Sequence, residues 1–123
     1  MAQLEERILN ALNMKTSLKD LSTLFGEMEH TLSETLESVK DTHSVEVFKT
    51  ACEMIDNLKK QIREALNITS SWRPAKDMDP RMAAIARETV YGFNRYLVTL
   101  DEVSGTTKEL FLRESMNLIR KDD

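Results

Sequence analysis

The chain has little with which to build a sheet. Three glycines, two prolines and 6% aromatic residues in 123 positions supply too few turns and too few strand formers for a sandwich or barrel. A single cysteine, Cys52, excludes an intramolecular disulfide. No run approaches the roughly 18 apolar residues of a membrane span. The opening segment MAQLEERILNAL is amphipathic and acidic, whereas a secretory leader begins basic and then turns apolar. Together these features predict a soluble, cytoplasmic protein with no membrane association, in which the Asn67-Ile68-Thr69 sequon stays unused.

Catalytic signatures are also missing. Gly26, Gly92 and Gly105 lie too far apart to form a phosphate-binding loop. Glu27 and His30 make one Glu-x-x-His step, with Glu34 a turn further on, but a di-iron bundle needs two such steps and two more glutamates. His43 has no matching glutamate, so no metal site is expected. Cys52 beside an apolar seam reads as a small buried hydrophobe, and no spacing pairs it with His30 as a base. The chain is read as a non-enzyme without a cofactor.

What is abundant is Leu, Ala, Met, Glu, Lys and Arg, the good helix formers. Hydrophobic residues are 41% and charged residues 31%, enough apolar surface for one core. The net charge is −4. All of it lies in the segment up to His43, where eight acidic residues face four basic ones; the remainder is balanced.

Leu4, Ala11, Leu18, Phe25, Leu32 and Val39 recur every seven residues, and Met14, Leu21 and Met28 fall three after three of these. This is the a/d seam of a coiled coil or bundle helix. Unbroken from residue 3 to 40 it would be a rod of about 55 Å. Lys15-Thr16-Ser17 is a candidate break, with Ser17 capping a new helix. Asp41–Ser44 reads as a turn with Ser44 as N-cap, followed by a helix to about Leu66 that carries Phe48, Ala51, Ile55, Leu58, Ile62 and Ala65 on one side. The short connection predicts a helical hairpin over 3–66.

Periodicity fades over 67–79, read as a long loop that ends in Asp79-Pro80, a cap and a first helical position. A helix over 80–103 follows. Ser104-Gly105 is expected to stop it, and Thr106 with Glu109 to cap a last helix over 107–120. The expected fold is therefore all-α: a single domain, 1–123, forming an antiparallel bundle of about four helices with a long N-terminal helical hairpin.

Two regions stand out as sites. The seam around Leu18, Leu21, Phe25, Met28 and Leu32 is long enough to suggest self-association as a dimer. Trp72 and Arg73 in the loop, with Tyr91 and Arg95 on the following helix, are the residue types enriched at protein interfaces, although a lone loop tryptophan also suits a plug at the bundle end. Arg73, Lys76, Arg81, Arg87 and Arg95 make 72–95 the most basic stretch, but Asp77, Asp79 and Glu88 leave only +2 there. The expected function is a non-catalytic protein-interaction module, an adaptor, assembly factor or inhibitor; the alternative is a nucleic-acid-associated protein that uses 72–95.

Overall fold

A computed structural model describes residues 2–13 and 18–122. Among these the chain is all helical, with no strand: α1 Ala2–Leu12, α2 Leu18–Ser38, α3 Val45–Ser71 and α4 Pro80–Asp122. A continuous rod over 3–40 is excluded, because α1 and α2 are separate helices. The Lys15–Ser17 segment, Met14 and the Leu18 side chain lie outside the described residues.

The apolar spacing of each helix sets what it buries. α1 contributes Ile8, Ala11 and Leu12; α2 contributes Leu21, Leu24, Phe25, Met28 and Leu32. These fall at i, i+3, i+4 and i+7, one stripe of a 3.6-residue helix. α3 buries Phe48, Ala51, Cys52, Ile55, Leu58, Ile62, Ala65 and Thr69. Its pairing with α4 runs in opposite senses: Asn94 bonds Thr69, Arg63 faces Asp101, Lys108 bonds Asp56, and Phe48 packs on Phe111.

The seam of α2 does not remain open for a second copy. Leu21, Phe25, Met28 and Leu32 are each 5% exposed or less. Phe25 packs edge-on against Phe93 with 5.1 Å between ring centroids, and lies beside Tyr96. Leu21, Phe25, Met28 and Leu32, expected to join two chains, are core side chains of the single chain.

α4 is longer than the spacing predicts. Ser104-Gly105 does not stop it, and it continues for 43 residues, about 64 Å at 1.5 Å per residue. Ser104 falls on the core face and is fully buried. A Cβ at Gly105 would come 3.3 Å from Lys59 Nζ, the tip of a flexible side chain on α3. Thr106 is no cap; its hydroxyl donates to Glu102 O within the helix. The separate helices expected over 80–103 and 107–120 are thus one.

Two other boundaries move. α3 runs on to Ser71, so the loop spans 72–79 rather than 67–79. Ser44 precedes α3 without a side-chain capping bond; its N–H donates to Thr42 Oγ1 instead. Asp79 caps α4 as expected, its Oδ1 accepting from the N–H of Arg81 at 2.8 Å. Asp41 turns the chain after α2 with φ at 61°, a left-handed conformation that Asp tolerates better than most residues.

Candidate docking cleft

The 72–79 loop folds against the N-terminal half of α4 and leaves a cleft of about 500 Å³ beside the end of α3. Trp72, Pro74 and Val90 give it apolar walls. Arg73, Arg87, Tyr91 and Asn94 give it polar ones, with Thr69 and Ser70 at the α3 side. Three of the four residues predicted to bind a partner therefore meet in one place. The fourth, Arg95, is outside the lining, with its guanidinium 5.8 Å from the centre of the Tyr91 ring, within cation–π range.

Trp72 is in the wall rather than on the surface. It is 7% exposed, and its Nε1–H donates to Asn13 Oδ1 at 3.2 Å. It plugs the bundle end where α1 meets the end of α3. Arg73 is exposed, and its Nη1 donates to Trp72 O at 2.7 Å and Ser70 O at 3.4 Å. Carbonyls at a helix C-terminus carry partial negative charge, so this guanidinium caps α3 and still has donors to spare.

Asn94 fixes the opposite wall. Its Nδ2 donates to both Thr69 Oγ1 and Ser70 Oγ at 3.0 Å. Arg87 is exposed and makes no hydrogen bond or ion pair with a described residue. Tyr91 is 65% exposed. No acidic residue is among those lining the cleft. Two guanidiniums over an apolar floor would hold one carboxylate beside one apolar side chain.

Arg87 counted only toward the basic stretch in the sequence, and Asn94 was not singled out. The signal was their spacing: Arg87, Tyr91 and Asn94 sit at i, i+4 and i+7, one face of a helix. The other basic residues of the stretch, Lys76 and Arg81, are not part of the cleft lining.

The remaining chemical groups do not converge. The His30 side chain is 72% exposed and its Nε2 lies 2.9 Å from Glu34 Oε1, whereas Cys52 is buried. Burial pushes the Cys52 thiol up; Lys108 pulls against that rise and Asp56 adds to it. Among the described residues no three His, Cys, Asp or Glu side chains group as metal ligands, and no helix is long and apolar enough to cross a membrane. The chain matches no family model, and neither a curated protein nor a solved structure shows significant similarity to it.

Proposed function

We propose that this chain is a non-catalytic protein-interaction module, an adaptor, assembly factor or inhibitor that docks on a segment of a larger protein through the 72–94 cleft. The observation that supports it is the meeting of Trp72, Arg73 and Tyr91, on two different elements, around one cleft that also receives Arg87 and is lined by no acid. The segment it suits carries a carboxylate next to an apolar side chain. A phosphate backbone suits it less, since Asp77, Asp79 and Glu88 lie within the stretch and would repel a polyanion extending from the cleft. A single thiol that is free and buried fits a reducing compartment, so we place the protein in the cytoplasm.

The test is affinity capture from the native host with the full chain and with Arg87→Glu and Tyr91→Ala. Both side chains are exposed, so circular dichroism should be unchanged. A partner held by the unaltered chain and lost with Arg87→Glu supports the reading. Equal capture by all three chains, or capture of nucleic acid alone, overturns it.

A further inference from the structure

The core face of α4 holds Ala86, Leu97, Ser104 and Phe111. A second face is uncharged as well. From Met82 to Leu110, residues taken alternately three and four apart carry no charge, which is the spacing of a coiled-coil seam. Its ends are not in the core: Met82, Ile85, Val103 and Leu110 are 40%, 51%, 45% and 45% exposed, whereas Tyr96 near its middle lies beside Phe25 and donates to Glu29 of α2. In the middle sits Gly92.

The residues immediately preceding one set of seam positions are Arg81, Glu88, Arg95 and Glu102. They recur every seven residues with alternating sign, and all four are exposed. None is ion-paired with a described residue. In an antiparallel coiled coil, this flanking column meets its own copy across the seam. One register, with its twofold axis beside Tyr91 and Gly92, sets Glu88 opposite Arg95 of the other copy and also sets Arg81 opposite Glu102. A parallel pairing would instead bring the column against Ala86, Phe93 and Leu100, where there is no charge to meet.

Gly92 fits the same arrangement. Glycine is the poorest helix former after proline, and the usual reason to keep one inside a helix is close packing. A Cβ at Gly92 meets nothing within 4 Å, nor does one at Gly26. Both line a cleft of about 440 Å³ between α2 and α4, floored by Phe25 and Phe93. The monomer therefore has no packing use for either glycine, and a second backbone crossing there would.

From this self-complementarity we infer that a second copy of the chain packs on α4, antiparallel and centred at Gly92, through the Met82–Leu110 face. The inference does not depend on the 72–94 cleft.

Sedimentation equilibrium of the full chain from about 1 to 100 μM tests it. The expected result is a reversible dimer that weakens about tenfold or more in Arg95→Glu, where Glu88 would face a glutamate twice. The exchanged pair Glu88→Arg with Arg95→Glu should restore it. Ile85→Asp should give a monomer with unchanged helicity, because that side chain is half exposed in the single chain. A chain that stays monomeric throughout the range overturns the proposal. So does a dimer indifferent to Ile85→Asp, or an exchanged pair that fails to recover what Arg95→Glu loses.

Discussion

The indole Nε1–H of Trp72 donates to Oδ1 of Asn13 at 3.2 Å, joining residues 59 apart in sequence. It ties the turn after α1 to the end of α3. Removing the ring opens a cavity and frees α1, so Trp72→Ala should lower stability by about 3–5 kcal/mol. Asn13→Ala leaves the indole donor half-buried and should cost about 1 kcal/mol. Urea unfolding followed by circular dichroism measures both. A Trp72→Ala loss no larger than that of Asn13→Ala would show that the ring is held by little besides the hydrogen bond.

Ser104 should be worth replacing. Its hydroxyl is buried on the core face of α4 without a hydrogen-bond partner. A buried hydroxyl that has given up water for nothing is a cost, and alanine is the better helix former. Ser104→Ala is expected to raise stability by about 1 kcal/mol. Thermal melts would register this as a higher midpoint, and an unchanged or lower midpoint would contradict it.

Tyr96 carries a pH dependence. Its hydroxyl donates to Glu29 Oε2 at 2.8 Å and its oxygen lies 3.3 Å from Phe25 O. Burial first, and then the Glu29 hydrogen bond and charge, push its pKa up from 10.0 to about 12. The folded state thus keeps a proton that the unfolded state has released. This contribution is present below pH 10 and is lost as pH rises through the window between 10 and 12. Stability measured against pH should fall across that window, and Tyr96→Phe should fall less. A tyrosinate absorbance titration in which Tyr96 ionises at the ordinary value would rule out the coupling to Glu29.

Much of the architecture was legible because it is written in local spacing. Leu21, Phe25, Met28 and Leu32 recur as a helix stripe demands, and they are buried. Asp79 before Pro80 announced the start of α4 and supplies its cap. What could not be read were the places where tertiary packing overrides a local signal. Ser104 and Gly105 have poor helix propensity, yet burial of Ser104 on the core face holds α4 continuous through them. In the cleft, Trp72, Arg73 and Tyr91 were visible by residue type. Arg87 was visible only as one charge of a basic stretch and Asn94 not at all, because surface arginine and asparagine carry no site signal until the helix phase places them beside Tyr91.

The attachment of α1 has a consequence for the order of assembly. α1 is synthesised before α2, α3 and α4, but its contacts lie on α2 and α3, and the Asn13 side chain waits for residue 72. A helix of 11 residues is too short to persist alone in water. During synthesis, then, the earliest of these four helices should settle late, and until α3 is complete its Ile8 and Leu12 are open to chaperones and proteases.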